Sequence, residues 1–136
     1  MPQNCQTRFR VRYAETDQMG VVYYANYLVW MEVGRTDFCK MAGFNYTEME
    51  ADGVYLAVTE ARCRYLSPAK YDDPIVVETR LDRFNRRFVT FAYSIRNEET
   101  GKLLAEGGTM HVGIGVDQKA KSIPQRYLTM LDASAS

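Results

Sequence analysis

One helical pattern lies among segments with the two-residue period of strands, and this combination restricts the fold more than any other feature of the chain. Between Asn26 and Gly43, apolar residues recur every three or four positions, which is typical of one face of a helix. Asn26 is a candidate cap for its start, and Lys40 and Gly43 are typical of a helix end. Gly34 lowers the stability of a helix relative to alanine, so we expect it to mark a close approach to another backbone.

The other regular segments alternate apolar and polar residues, as half-buried strands do. They are Thr7–Tyr13, Val54–Tyr65, Ile75–Phe84, the segment around Val89–Ile95, and Lys102–Val116. The alternation changes parity near Thr59 and Glu60, which predicts a β-bulge there. Shorter helices are predicted after Asn45 or Thr47 and over Pro124–Leu131. This order predicts an α+β fold, in which the long helix covers the apolar face of an antiparallel meander of about five strands.

Length and charge exclude several classes of partner. With 136 residues, the chain is expected to form one domain, residues 1–136, with a frayed tail at 132–136. Lys and Arg together number 17, as do Asp and Glu, so there is no global basic field to bind nucleic acid. No apolar run approaches the roughly 20 residues of a membrane-spanning helix, and the polar N-terminus has no apolar signal core. We therefore expect a cytoplasmic protein without integral membrane association.

The cysteines and the single histidine form no metal-binding pattern. Cys5, Cys39 and Cys63 are widely spaced, and the sequence has no Cys-x-x-Cys motif. A structural zinc site needs four close ligands, so we expect no metal and three reduced thiols. No serine or cysteine nucleophile can be matched with His111 into a triad, and we interpret this histidine as structural.

The stretch before the helix carries the candidate chemistry. Asp17 lies in a glycine-containing turn, and the free backbone N–H groups of a helix start attract negative charge. A carboxylate there can attack a carbonyl or activate water while the N–H groups hold the oxyanion. The residue types alone leave a second interpretation open, in which Asp17 is a helix cap. Glu15, two residues earlier, is interpreted as a solvated or capping charge.

The string from Tyr13 to Tyr27 resembles the signature of the 4-hydroxybenzoyl-CoA thioesterase family, in which Thr-Asp-x-x-Gly-x-Val is followed by aromatic residues and Asn-Tyr. Later stretches are similar to the bacterial branch that includes Tol–Pal-linked acyl-CoA thioesterases; they are Leu28–Glu32 with Gly34–Thr36, Cys63–Asp73 and Thr100–Gly108. The resemblance implies the hot-dog fold, hydrolysis of acyl-CoA to free acid and CoA without a cofactor, and a homodimer or homotetramer with sites between subunits. A non-hydrolytic acyl-CoA or acyl-carrier binding module of the same fold is the alternative.

The resemblance also assigns roles to three residues near the helix start. Asp17 matches the family's catalytic carboxylate, as nucleophile or as general base, and the backbone N–H of Tyr24 matches the oxyanion donor. Gly20 matches the turn glycine that lets the chain approach the thioester. Many Tol–Pal-linked members have histidine where this chain has Tyr24. That difference removes an imidazole role and leaves the backbone role intact.

Further residues are candidates for binding the substrate. Thr59 and Glu60, at the expected bulge, are candidates for a pocket completed by a partner subunit, because bulges re-aim side chains; local strand pairing is the other interpretation. Tyr27 is a candidate for lining the acyl pocket, although the same spacing suits the core. Arg86 and Arg87 lie in a predicted turn, where their side chains are candidates for holding the phosphates of CoA.

Overall fold

In the computed structural model, which describes residues 4–135, five strands and three α-helices follow one another along the chain. They are β1 (Cys5–Arg10), α1 (Asn26–Ala42), α2 (Tyr46–Ala51), β2 (Tyr55–Tyr65), β3 (Pro74–Phe84), β4 (Phe88–Asn97), β5 (Leu103–Ile114) and α3 (Gln125–Ala135). A single 3₁₀ turn, Tyr13–Glu15, follows β1. None of the helices formed by these residues is long and apolar enough to cross a membrane.

The strands form one antiparallel sheet in the order β1-β3-β4-β5-β2. The predicted α+β fold of five antiparallel strands is thus confirmed, but the predicted meander is wrong for β2. This strand pairs with β5 from Tyr55↔Ile114 to Tyr65↔Ala105, so it lies at an edge of the sheet rather than beside β3. Alternation defines the two faces of a strand and carries no information about its neighbours, which is why the sequence pattern did not reveal this order.

Helix α1 lies against one face of the sheet and has the predicted bounds. It ends at Ala42, before Gly43 in the left-handed region with φ +116°. Its buried residues are Tyr27, Trp30, Met31, Gly34, Phe38 and Cys39. The predicted capping role of Asn26 is wrong, because no side chain caps this helix and the Asn26 amide instead donates to the Glu15 carbonyl oxygen at 2.9 Å.

Gly34 marks the closest approach of α1 to the sheet. A Cβ atom placed there would overlap Thr79 Oγ1 and lie 2.9 Å from Val77 Cγ1. The close approach is therefore confirmed, but the atoms it meets first belong to two β3 side chains rather than to another backbone.

Strand β1 is shorter than the predicted Thr7–Tyr13. The chain leaves the sheet near Val11, whose N–H donates to Asp73 and whose carbonyl accepts from Asp72, both at 3.0 Å. Tyr13 then begins the 3₁₀ turn that leads towards Asp17. The prediction extended to Tyr13 because polar and apolar residues alternate in the sequence up to that point. In the structure the ladder has already ended, and Arg12 and Tyr13 are both exposed.

Other local predictions can be compared with the structure. The pairing of β2 with β5 shifts register between Val58 and Glu60, which confirms the bulge. Helix α2 follows Asn45, one of the two predicted positions, and Asn45 caps it by accepting from the Glu48 N–H. Helix α3 extends beyond the predicted end at Leu131. The single-domain assignment and the frayed tail at 132–136 stay predictions.

Candidate active site

A tight turn fixes the carboxylate of Asp17. The Asp17 N–H donates to the Val21 carbonyl at 2.8 Å, and the Gly20 N–H donates to the Asp17 carbonyl at 3.0 Å. Gly20 has φ +80°, a conformation that favours glycine. The Met19 N–H donates to Asp17 Oδ1 at 2.8 Å. Within residues 4–135, the second oxygen Oδ2 has no hydrogen bond, so it is available to a substrate or a water molecule.

The start of α1 presents an unused backbone donor beside this turn. The Tyr23 N–H donates to the backbone carbonyl of Glu15, and the backbone N–H of Asn26 donates to the carbonyl of Tyr23, both at 2.9 Å. The Tyr24 N–H between them makes no hydrogen bond to any described residue. A free N–H at a helix start, on the positive end of the helix dipole, is suited to hold an oxyanion.

Asp17 and Tyr24 line one cavity of about 370 Å³. The rest of its lining is mainly apolar and aromatic: Val21, Val22, Tyr27, Tyr65, Leu66, Ser67 and Pro68. The Tyr65 hydroxyl donates to the Tyr24 carbonyl at 3.0 Å. Burial, with the neighbouring Cys63 thiol, raises the pKa of Tyr65 to about 12, so this phenol stays a neutral donor at physiological pH.

Tyr27 serves the core and the cavity together. It is buried, its ring packs on Trp30 with centroids 4.9 Å apart, and its hydroxyl accepts from the Ala69 N–H at 3.3 Å. Part of the ring also lines the Asp17 cavity. Both interpretations of the helical aromatic pattern therefore apply to this residue, and its contact with substrate stays a prediction.

Thr59 and Glu60 lie away from Asp17 within one chain. The Thr59 hydroxyl donates to the Met110 carbonyl at 3.3 Å. Glu60 lines a separate cavity of about 110 Å³ together with Asp82 and Arg83. Neither residue lines the Asp17 cavity. Their predicted role in the site therefore requires a second subunit.

Arg86 and Arg87 lie in the β3–β4 turn, at the opposite end of the sheet from Asp17. The cavity residue Tyr65 pairs with Ala105, whereas the Arg87 carbonyl accepts from the Gly113 N–H. Ala105 and Gly113 are therefore separated along β5 by roughly 26 Å, at about 3.3 Å a residue. One chain therefore does not bring the two arginines to the Asp17 cavity.

A cavity of about 690 Å³ is lined by Arg87 but not by Arg86. Lys121 also lines this cavity; it lies in the loop after β5 and donates to the Gly53 carbonyl at 3.3 Å. Sequence analysis missed Lys121, because only the folded loop brings it close to Arg87. Arg126, another cation after β5, forms an ion pair with Asp52 and stacks on Tyr127.

Glu15 is the residue whose environment differs most from the prediction. Its capping interaction is present, since Glu15 Oε1 accepts from the Arg12 N–H at 2.8 Å. Its predicted solvation is wrong, because only 5% of the residue is exposed and Oε2 accepts from the Trp30 indole at 2.8 Å. Trp30 lies three residues after Tyr27, a spacing that indicates the same face of α1. The contact with Glu15 spans fifteen residues and has no such local signal.

His111 is buried away from Asp17 and has a structural environment. Its Nε2 lies 2.8 Å from Thr109 Oγ1, which in turn lies 2.7 Å from the Tyr93 hydroxyl. Burial and then the charge of Arg35 lower the pKa of His111 to about 4. In the part of the chain that the structure describes, no group of three or more His, Cys, Asp or Glu side chains is placed to hold a metal ion.

Comparisons with known proteins place this chain in a family. The family model described as thioesterase-like superfamily matches residues 11–131. "Putative acyl-CoA thioesterase YneP" of Bacillus subtilis is 45% identical over 102 residues, which are 75% of this chain and 73% of YneP.

Two solved structures have the same fold over nearly their whole length. The hypothetical protein TT1821 from Thermus thermophilus gives a TM-score of 0.89 at 39% identity, over 96% of this chain and 97% of that one. The DHNA-CoA thioesterase from Staphylococcus aureus gives a TM-score of 0.88 at 31% identity, over 96% of this chain and 91% of that one. The chain belongs to the thioesterase-like superfamily, which confirms the predicted hot-dog fold and the prediction of a thioester hydrolase.

Proposed function

We propose that the protein hydrolyses acyl-CoA thioesters to a free acid and CoA, with Asp17 as the catalytic carboxylate. One observation carries this proposal: an Asp17 oxygen without a partner among the described residues lines the same cavity as Tyr24, whose N–H is unused. Relatives described as acyl-CoA and DHNA-CoA thioesterases support the choice of a CoA thioester. No metal or redox cofactor is needed for this chemistry.

Two routes fit this geometry, and both develop negative charge on the carbonyl oxygen. In the first, Asp17 attacks the thioester carbon, CoA leaves as the thiolate, and water hydrolyses the resulting anhydride. In the second, Asp17 removes a proton from the water that attacks the carbon. In each route, the Tyr24 N–H and the positive end of α1 stabilise the oxyanion, while the Gly20 turn holds the carboxylate in place.

We also infer that the nearest relationship is to the 4-hydroxybenzoyl-CoA thioesterase family, whose signature the Asp17 turn resembles. The tyrosine at position 24 is compatible with this assignment because the proposed donor is the backbone N–H. It separates the chain from the Tol–Pal-linked members with histidine there. We also propose a cytoplasmic location.

We propose that the working unit is a homodimer, or a homotetramer made of two dimers. Strand β2 is an edge strand of 11 residues, and a long unpaired edge is a template for another strand. Beside it, Leu28, Val29 and Val33 of α1 and Val58 of β2 expose apolar side chains. Antiparallel pairing of two β2 edges would place the Tyr55 end of one copy against the Tyr65 end of the other. Candidate binding residues of one copy would thus approach the Asp17 cavity of its neighbour.

Thiol release from a panel of acyl-CoAs tests the function. The panel contains short and long aliphatic, benzoyl-type and naphthoyl-type groups, and the variant is Asp17→Asn, which keeps the shape but removes the base or nucleophile. We expect turnover to fall by roughly 10²–10⁴, the usual effect of one positioned proton-transfer group. The matched control is Glu99→Gln, an exposed carboxylate in the β4–β5 turn that lines neither the Asp17 cavity nor the Glu60 cavity. Wild-type turnover by Asp17→Asn would contradict the assignment, and acyl-CoA binding without thiol release would favour the binding module.

A further inference from the structure

The hydrogen bonds of Glu15 connect three parts of the chain. Its own N–H donates to the Arg12 carbonyl at 3.0 Å, and its Oε2 accepts from the Arg12 guanidinium at 3.5 Å. Its carboxylate accepts from the Arg12 N–H and from Trp30 Nε1, both at 2.8 Å. Its backbone carbonyl accepts from the Tyr23 N–H and from the Asn26 amide, both at 2.9 Å. Glu15 thereby ties the end of the β1 segment to the start of α1 and to its second turn.

These contacts surround the two groups that the proposed chemistry uses. Asp17 follows Glu15 by two residues, and Tyr24 lies between Tyr23 and Asn26, whose backbone N–H and side-chain amide, respectively, donate to the Glu15 carbonyl. A shift of Glu15 relative to Trp30 would therefore change the separation between the Asp17 carboxylate and the Tyr24 N–H. That separation matters because an error of about 1 Å in a reacting geometry can lower the rate by roughly 10²-fold.

We propose that Glu15 and Trp30 form a positioning pair, which sets the geometry between the Asp17 carboxylate and the helix-start N–H and does not itself touch the substrate. This inference rests on the proposed function for its catalytic consequence. Its structural part, the link between the Glu15 carboxylate and the Trp30 indole, stands on the contacts alone.

The pair requires a carboxylate, because both oxygens of Glu15 are used as acceptors. Glutamine has one acceptor oxygen and one donor NH₂ group, so it can satisfy either Arg12 or Trp30 but must turn a donor towards the other. In a site that is 5% exposed, water cannot readily compensate for such a mismatch. Glu15→Gln is therefore a disruptive change despite its similar shape.

The experiment is a double-mutant cycle with Glu15→Gln, Trp30→Phe and the combination of both, assayed by thiol release well below the unfolding temperature. Trp30→Phe keeps an aromatic ring against Phe9 and Tyr27 but removes the N–H donor. We expect each single change to lower kcat by about 10–100-fold. KM should change by less than about threefold, because the substrate contacts are retained. The kcat of the double variant should be only slightly below that of the less active single variant, since both changes break the same link.

A matched control separates positioning from general stability. Thr7→Val removes a part-buried hydrogen bond of 2.7 Å to Asp37, which joins β1 to the later part of α1. We expect this variant to lower the unfolding temperature and leave kcat nearly unchanged. If Glu15→Gln keeps wild-type kcat, or if the two single losses add fully in the double variant, the proposal is wrong.

A second readout does not depend on activity. Trp30 is the only tryptophan, so its indole N–H gives a single signal in a ¹H–¹⁵N spectrum. We expect that signal to be downfield and protected from exchange in the wild type, and to lose both properties in Glu15→Gln. An unprotected indole N–H in the wild type would overturn the pair. Wild-type protein without activity on any thioester would overturn the proposed function instead, and the indole signal would then decide on the pair.

Discussion

His111 is the only histidine of the chain, and its burial makes stability depend on pH. Its folded pKa of about 4 lies below the usual value of 6.5, so the fold favours the neutral ring. The stabilisation is present above pH 6.5 and is lost as the pH falls towards 4, because the unfolded chain then binds a proton that the folded chain resists. We expect a loss of about 2 kcal/mol in the free energy of unfolding between pH 7 and pH 5, measured by urea denaturation.

The control for this residue is His111→Gln, whose side-chain amide can keep a hydrogen bond to Thr109. This variant has no imidazole, so its unfolding free energy should change by about 2 kcal/mol less over the same interval. Equal pH dependence in the two proteins would show that other groups cause the effect. The Arg35 charge contributes to the lowered pKa, so an Arg35→Met variant should show a weaker pH dependence than the wild type.

At the level of single residues, sequence reasoning was most informative where a motif fixed the backbone. The positive φ of Gly20 belongs to the Asp17 turn, and the unused Tyr24 N–H belongs to the start of α1; both are local geometries. Glu15 was misjudged because its burial depends on Trp30, fifteen residues away. A carboxylate between Ala14 and Thr16 gives no local sign that an indole will cover it.

At the level of elements, Gly34 sets how closely α1 approaches β3. Gly34→Ala would add a methyl group against Thr79 and Val77, and overpacking of this kind typically costs about 1–3 kcal/mol. The helix propensity of alanine offsets up to about 1 kcal/mol of that cost. We therefore expect a net loss of stability in urea denaturation. Adding Thr79→Ala should recover part of it, because the first overlapping atom is the Thr79 hydroxyl oxygen, which is buried without a hydrogen-bond partner among the described residues.

A gain in stability for Gly34→Ala alone would show that the contact between α1 and β3 is loose enough to accept a side chain.

Helix and strand bounds in this region were predictable because period, glycine position and the bulge are local signals. The place of β2 at the sheet edge was not, since it depends on which strands pair across the whole domain. Thr59 and Glu60 lie away from Asp17 in one chain because they lie earlier on β2 than Tyr65, the β2 residue that lines the Asp17 cavity.

At the level of the whole molecule, the candidate residues lie at two ends of the sheet. Asp17 lies near the Tyr65 end of β2, whereas Arg87 lies near the end where β2 begins at Tyr55. If both act on one acyl-CoA, the arginines must come from a second copy paired along β2. Arg86→Ala with Arg87→Ala should then raise KM several-fold with little change in kcat, because such contacts bind substrate and transition state equally.

Heterodimers with two affinity tags test whether one site draws on two chains. In the first heterodimer, one chain carries Asp17→Asn and the other carries Arg86→Ala with Arg87→Ala. If sites are shared, one of its two sites joins the intact Asp17 of one chain to the intact arginines of the other. We therefore expect the wild-type KM and about half of the wild-type kcat, by counting sites. In the matched control, one chain carries all three changes and the other carries none. If sites are shared, one site then lacks Asp17 and the other lacks both arginines, so the remaining activity should show the raised KM. Sites contained within single chains would give the reverse result, with the low KM in the control and the raised KM in the first heterodimer.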